Sequence, residues 1–301
     1  MNMRIAITTP TGNIGNKLTH YLLSAGAKVV LLARDIKKVR EFEQMGAVIR
    51  LGSQDDATFV TEATADVSSL FWVTPPNLTS PDLREFQRAC GFAAARAVRV
   101  NKIPHVVNLS SVGAHLEYGA GPISGLHDVE DMLNPEAPNV VHLRAGYFFE
   151  NFLWQVKSIQ DASSIFMPID GTRRFPMVAT KDIAAIACGL LLDESWVGLH
   201  IRGLQGPADL SLFEATEQIS YGLGRTIRYI KVGDDQARNF MLDAGMSNNV
   251  IDLMLEMERG ISSGWITPQE PRTSLTTTPT TLQQFAREQI AQLLRKEAWV
   301  W

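Results

Sequence analysis

Thr8-Thr9-Pro10-Thr11-Gly12-Asn13-Ile14-Gly15-Asn16 is the stretch whose reading decides the fold. It follows the apolar run Met3 to Thr8 and opens the helical pattern Asn13 to Ala25, so two glycines stand at a strand-to-helix turn. Glycine there lets the backbone approach a pyrophosphate closely, and a helix N-terminus offers unpaired N–H groups and partial positive charge to the anion. An ordinary turn can also carry two glycines. The strand before it, the helix after it and its place at the start of the chain favour a dinucleotide cradle. Thr9 occupies the position where the first glycine of G-x-x-G-x-x-G would stand.

Outward from this turn, Lys28 to Ala33, Ala47 to Leu51, Val67 to Val73, His105 to Leu109 and Val140 to Leu143 are short runs of mostly Val, Ile and Leu. Such runs are strands buried on both faces. Helical patterns fill the gaps at Ile36 to Met45, Ala57 to Ala63, Pro81 to Asn101 and Gly125 to Leu133. The alternation predicts an α/β fold, a Rossmann-like doubly wound parallel sheet with right-handed crossovers. Further on, helices are expected at Phe152 to Gln160, Thr180 to Leu192, Ser211 to Leu223, Gln236 to Ala244, Asn249 to Gly260 and Leu282 to Glu297, the last capped by Thr280 or Thr281. Strands are expected at Leu199 to Arg202 and Ile227 to Val232. Residues 1–150 then form the nucleotide-binding part and 151–301 mainly a smaller α/β substrate part, partly interleaved because elements from about 180–205 return to the sheet.

The composition suits a globular chain: 45% of the 301 residues are hydrophobic and 20% charged. A net charge of −4 argues against a face that neutralises nucleic-acid phosphates. No apolar run approaches the roughly 18 residues of a membrane span, and the N-terminus lacks a signal-peptide core, so a cytoplasmic protein is expected. Cys90 and Cys188 cannot build a disulfide framework, and the six histidines are scattered without ligand spacing, so no metal is expected.

The second strand ends in Ala33-Arg34-Asp35. A guanidinium there can fork onto a 2′-phosphate, whereas an acid binds both ribose hydroxyls. Arg34, with Lys38 one turn on, points to NADP(H); the neighbouring Asp35 leaves NAD(H) as the alternative. Arg34 as a loop cap, with Lys37 and Lys38 on a solvated helix face, is the plainer reading.

Taken together, Ile7 to Gly15, Arg34 with Lys38, Leu70-Phe71-Trp72-Val73-Thr74-Pro75-Pro76 and Val107-Asn108-Leu109-Ser110-Ser111-Val112-Gly113 resemble the NmrA-like family of atypical short-chain dehydrogenases/reductases. The resemblance continues through His127 and Glu130, Leu143 to Asn151, and Thr180-Lys181-Asp182-Ile183-Ala184. It implies an NADP(H) site in which Thr9, Pro10, Thr11, Gly12, Asn13, Ile14 and Gly15 surround the pyrophosphate. Arg34 and Lys38 would take the adenosine 2′-phosphate, and Thr74, Pro75 and Pro76 the nicotinamide-ribose side. Where relatives carry Gly-Asp near the adenine, this chain has Gly52-Ser53-Gln54, which leaves that contact to the neutral Gln54.

Proton chemistry is less visible. The residues four after the five tyrosines are Ala25, Pro122, Asn151, Arg225 and Gly233, so no Y-x-x-x-K exists. Isoflavone-reductase-like relatives use a lysine after the fifth strand, yet none lies between Lys102 and Lys157. Ser110, at the place of the superfamily's active-site serine, and His127, at a helix start, remain as catalytic candidates, each with a purely structural alternative. The Gly-rich loop from Gly113 to Gly125, with His115 and Tyr118, is expected to cover the cofactor. Tyr147 and Asn151 are substrate-binding candidates within an otherwise core-forming aromatic cluster. The function expected from the resemblance is hydride transfer from NADPH to a quinone or similar small electrophile, which needs little besides orientation beside the nicotinamide. The alternative is a noncatalytic NADP(H) sensor with a regulatory protein partner. Trp299 and Trp301 are candidates to anchor a second subunit, as in a homodimer, or are simply an apolar tail.

Overall fold

Strands that are apolar on both faces need a layer of helices on each side. The computed structural model describes residues 3–297 and supplies both layers. Strands β1 (Arg4–Thr8), β2 (Lys28–Ala33), β3 (Val48–Leu51), β4 (Ser69–Val73), β5 (His105–Ser111) and β6 (Asn139–Ala145) alternate with helices α1 (Asn13–Ser24), α2 (Arg40–Gln44), α3 (Ala57–Ala63), α4 (Leu83–Asn101) and α5 (Pro122–Leu133). Next come β7 (Tyr147–Phe148), α6 (Val156–Ala162), β8 (Ser164–Met167), β9 (Phe175–Val178), α7 (Thr180–Leu192) and β10 (Gly198–Leu204). The last elements are β11 (Asp209–Leu210), α8 (Leu212–Leu223), β12 (Arg228–Lys231), α9 (Asp234–Asp243), α10 (Asn248–Ser263), α11 (Leu282–Phe285) and α12 (Ala291–Glu297).

The main sheet is parallel and doubly wound, with seven strands in the order β10-β6-β5-β4-β1-β2-β3. Alternate residues of each strand feed opposite layers. Ile5 and Ile7 pack with Leu18 and Leu22 of α1 and Ile183 and Ala187 of α7. Ala6 faces the other way, toward Ala93 and Ala97 of α4 and Val129 and Leu133 of α5. A further core under the later elements gathers Phe149, Phe152, Ile165, Leu212, Ile219, Ile261 and Phe285. Because α7 lies on α1 and β10 pairs with β6, the chain after Thr180 re-enters the first layer system.

Several elements differ from the sequence reading, each for a local reason. The expected helix from Ile36 to Met45 is a 3-10 turn (Ile36–Lys38) followed by the short α2, since Asp35 caps the Lys37 N–H and Val39 leaves helical geometry at φ −123°. Helix α5 starts at Pro122, earlier than expected, with proline in its first turn where a missing N–H costs nothing. The segment after β7 is 3-10 from Phe149 to Gln155 before α6 begins. Strands β7, β8, β9 and β11 were not expected: they hold two to four residues each, too few to show a period. The last helix is α11 and α12 joined by a π-helical stretch, Ala286–Ile290, and Thr281 is its cap, accepting the Gln284 N–H at 3.1 Å. Trp299 and Trp301 lie outside the described residues.

Candidate functional site

Strand order reverses between β1 and β4, and ligands of open α/β sheets bind in the crevice at such a point, beyond the carboxyl ends of the strands. Thr8 ties the two strand ends together: its hydroxyl accepts the Val73 N–H at 2.8 Å and donates to the Phe71 carbonyl at 3.2 Å. Above this tie lies a cleft of about 240 Å³ lined by Thr9, Pro10, Thr11, Gly12, Leu32, Ala33, Arg34, Asp35, Lys38, Gly52, Gln54, Pro75 and Pro76. Nine of the residues singled out in the sequence thus converge on one cavity.

The glycine turn between β1 and α1 is set by Thr9. It holds a left-handed backbone, φ +50°, and its carbonyl accepts the Gly12 N–H at 3.0 Å. A Cβ on Gly15 would stand 2.2 Å from that carbonyl oxygen, so glycine is obligatory there. Gly12 is the N-cap of α1 and has no side chain to cap it. The N–H groups of Asn13, Ile14 and Gly15 are therefore left over at the helix start, as helix geometry demands. The Ile14 side chain is buried in the core, so this residue offers a ligand only its backbone.

Charge on the opposite rim comes from Arg34 and Lys38. Both are exposed, and neither makes an ion pair among the described residues. Asp35 is already engaged, its carboxylate accepting the Lys37 N–H at 2.9 Å. Gln54 spans the cleft and donates to the Val73 carbonyl at 2.8 Å. Thr74 is buried beside the cleft rather than lining it, and its hydroxyl accepts the indole N–H of the fully buried Trp72 at 3.3 Å.

The ends of β5 and β6 carry a buried ionic cluster. Arg144 grips Glu130 through Nη2 at 2.7 Å and Nε at 3.1 Å, and reaches Glu270 at 3.4 Å. The Ser110 hydroxyl donates to Glu130 at 2.5 Å. That bond uses its only proton, so Ser110 is committed to the cluster and 3% exposed. Burial, then the Arg144 charge, hold the His115 imidazole below its ordinary pKa, and its Nδ1 is buried without a partner. His127 is likewise engaged, Nδ1 lying 2.9 Å from the Ala114 carbonyl and Nε2 3.3 Å from Asp131.

The loop expected over the cofactor is anchored on α10. Val112, Ala114, Ala120 and Ile123 enter the second core, and a Cβ on Gly121 would strike the Leu253 carbonyl of α10 at 2.0 Å. This segment is packed against α10 because those side chains are apolar, and none of it lines the nucleotide cleft.

Tyr147, on β7 just past the end of β6, packs edge-on against Phe152 and Phe175 with ring centroids 5.9 and 5.7 Å away. Burial and then the charge of Glu258 hold its phenol well above the usual range, while a hydrogen bond from Asn151 acts in the opposite sense. Glu258 was not singled out in the sequence, where it reads as one more acid on a mixed helix. It is 8% exposed, its Oε2 is buried with no partner, and burial pushes its carboxyl up to about 8, aided by Asp234 and opposed by Arg259. Glu270 was missed too, since it sits in an aperiodic loop. The Thr180-Lys181-Asp182 segment is structural: Glu150 accepts from Thr180, and Asp182 accepts the Thr280 N–H at 3.0 Å and hydroxyl at 2.7 Å.

Among the described residues no cluster of His, Cys, Asp and Glu is suited to a metal, and no helix is long and apolar enough to cross a membrane. The family model of NmrA-like proteins matches residues 1–285. The chain belongs to the NmrA-like family. It is 25% identical over 253 residues to the NAD(P)H azoreductase of Xenophilus azovorans, covering 84% of this chain and 85% of that one. Among solved structures, this family member superposes on an NADPH-dependent quinone oxidoreductase of Escherichia coli, complexed with NADPH, with a TM-score of 0.78, 19% identity and coverage of 96% and 99%. NmrA itself, a negative transcriptional regulator solved with NADP, gives a TM-score of 0.75 at 17% identity, covering 100% of this chain and 99% of that one.

Proposed function

We propose that this NmrA-like protein binds NADPH and reduces a quinone or a similar small electrophile. The observation that carries the cofactor is that Arg34 and Lys38, which have no ion-pair partner among the described residues, stand with a pre-engaged Asp35 on the cleft's rim. Two cations without carboxylate partners suit a 2′-phosphate, whereas a carboxylate already bonded to a backbone N–H is a poor ribose clamp. The left-over N–H groups of Asn13, Ile14 and Gly15 take the diphosphate, and Gln54 flanks the adenine side. The relatives named above include an azoreductase and a quinone oxidoreductase, which supports an acceptor of that class.

When bound, the cofactor supplies hydride. The chain's own contribution is placement: the tie through Thr8 fixes the ends of β1 and β4, and Pro75 and Pro76 form a stiff rim beside them. Such an acceptor is reduced readily once oriented. A second reading, a noncatalytic sensor of NADP(H), is favoured by the commitment of Ser110 to Glu130 and the absence of Y-x-x-x-K. Following absorbance of the reduced nicotinamide with a panel of quinones and an azo dye decides between them. Turnover with at least one acceptor is expected; tight NADPH binding with none would sink the reductase and leave the sensor.

A further inference from the structure

β10 is an edge strand, paired on one side only, with β6. The Leu204 carbonyl accepts the Gly146 N–H at 2.9 Å on that side, and the Gly198 N–H meets the Asn139 side chain there at 2.8 Å. Backbone groups alternate along a strand, so the even-numbered residues of β10 spend theirs on β6. Leu199 and Ile201 turn theirs outward, where none meets a partner among the described residues. Gln205 points the same way but is covered: its N–H donates to the Thr276 carbonyl at 2.9 Å, and Arg202 Nε holds the Leu275 carbonyl at 3.0 Å. At the other end Gly198, at φ +85°, stops the extended run. Exposed edges ordinarily carry a lysine, a proline or a bulge that blocks further pairing, and the open stretch Leu199-His200-Ile201 has none of these. Val197 and Leu275, 71% and 69% exposed, are the two most exposed large aliphatic side chains among the described residues, and they stand at opposite ends of this edge.

We propose that β10 pairs antiparallel with β10 of a second copy of this chain, about a two-fold axis at His200, so that each seven-stranded sheet continues into the other. In that register Leu199 of each copy stands opposite Ile201 of the other, and the two exchange both backbone bonds, which satisfies every outward group. Their side chains lie on one face and make an apolar cross-strand pair. Arg202, which holds Leu275, stands opposite Gly198 of the second copy, so the axis carries the exposed Leu275 of each copy to the exposed Val197 of the other. The occupant is a second copy because the edge is complementary to itself, as a two-fold contact requires. A longer foreign strand would run into the 275–276 segment that already covers Gln205, whereas a second β10 ends its extended run at Gly198 before reaching it. The edge lies at the far end of the sheet order from β2, so both nucleotide clefts stay open.

Sedimentation of the full chain across a dilution series should give twice the chain mass at the concentrated end. Leu199→Lys combined with Ile201→Lys sets lysine opposite lysine in both pairs and is expected to raise the dimer Kd about 100-fold or more. Leu199→Lys combined with Ile201→Glu puts as many charges at the same positions but sets each lysine opposite a glutamate, so it should remain dimeric. A register shifted either way sets like charges opposite each other and loses the dimer in both variants. Both substituted positions are exposed, and an unchanged circular dichroism spectrum confirms that each variant is folded. Amide exchange at Leu199 and Ile201, slow in the dimer and fast after dilution, reads the backbone pairing itself. A wild type that is monomeric at every concentration, a dimer that survives the two lysines, or a lysine–glutamate variant that dissociates as readily as the two-lysine one would each overturn the proposal.

Discussion

The nucleotide cleft and the Tyr147–Glu258 interior are built on opposite plans. The cleft draws on backbone: a left-handed Thr9, an obligatory Gly15 and the open end of α1, with two exposed cations on the rim. The interior draws on side chains that arrive from β7, β12 and α10 and meet only because the second core brings them together. A backbone device tolerates change in most side chains around it, whereas a buried polar group depends on every neighbour. The Arg144 cluster follows a third plan, in which Arg144 and Glu130 are as buried as Glu258 but paired with each other.

That cluster gives the largest expected effect. Arg144→Ala leaves Glu130 and Glu270 buried without their cation, and breaking a buried pair this way costs about 3–5 kcal/mol. Urea denaturation should register a loss of that order, and a loss under about 1 kcal/mol would mean the carboxylates find water instead.

Glu258 offers the contrasting case of a buried group whose cost depends on pH. Its pKa rises from 4.5 to about 8 on folding, so between these values the folded state holds a proton that the unfolded state has released. Stability from this group is full below about pH 4.5 and is lost as pH climbs through 8. The predicted decline is up to a few kcal/mol, at about 1.4 kcal/mol per unit. Glu258→Gln should remove most of it, and identical stability-against-pH curves for wild type and variant would show that the carboxyl is solvated.

Arg34 tests the cleft itself. A lost charge-assisted contact is worth about 1.5–3 kcal/mol, so Arg34→Ala should weaken NADPH binding roughly 10- to 100-fold. NADH binding, which presents no 2′-phosphate, should barely change. Equal losses for both nucleotides by calorimetry would move the phosphate contact to Lys38 or elsewhere.

These two regions differed as sharply in how legible they were. Continuous Val, Ile and Leu runs announce strands covered on both faces, and a glycine pair at the first strand-to-helix junction announces the turn, since both signals are local. Arg34 and Lys38 were legible because they stand at fixed offsets from a strand end. Strands β7 and β9 were not, as pairing of Tyr147 with Met177 is decided by distant chain segments rather than by their few residues. Glu258 was invisible for a related reason. Its helix also carries Asp252, Glu256 and Arg259, so the sequence reads as a solvated face, and only the tertiary packing shows which of those acids points inward. The engagement of Ser110 depends in the same way on Glu130 arriving from α5.

Thr9 carries the smallest effect and the finest test of the backbone plan. A non-glycine residue in the left-handed region costs about 1–2 kcal/mol, more uncomfortably so when β-branched. Glycine would relieve that strain but adds freedom to the unfolded chain, a cost of about 0.5–1 kcal/mol. The two nearly cancel, with the relief ahead, so Thr9→Gly should stabilise the protein by about 0.5–1 kcal/mol. Thr9→Ala keeps a Cβ at φ +50° and so keeps most of the strain; it should fall short of the glycine variant in urea denaturation. If alanine and glycine prove equally stable, the left-handed geometry at Thr9 is not what holds the turn between β1 and α1, and the obligatory contact shifts to Gly15, whose Cβ would meet the Thr9 carbonyl in either variant.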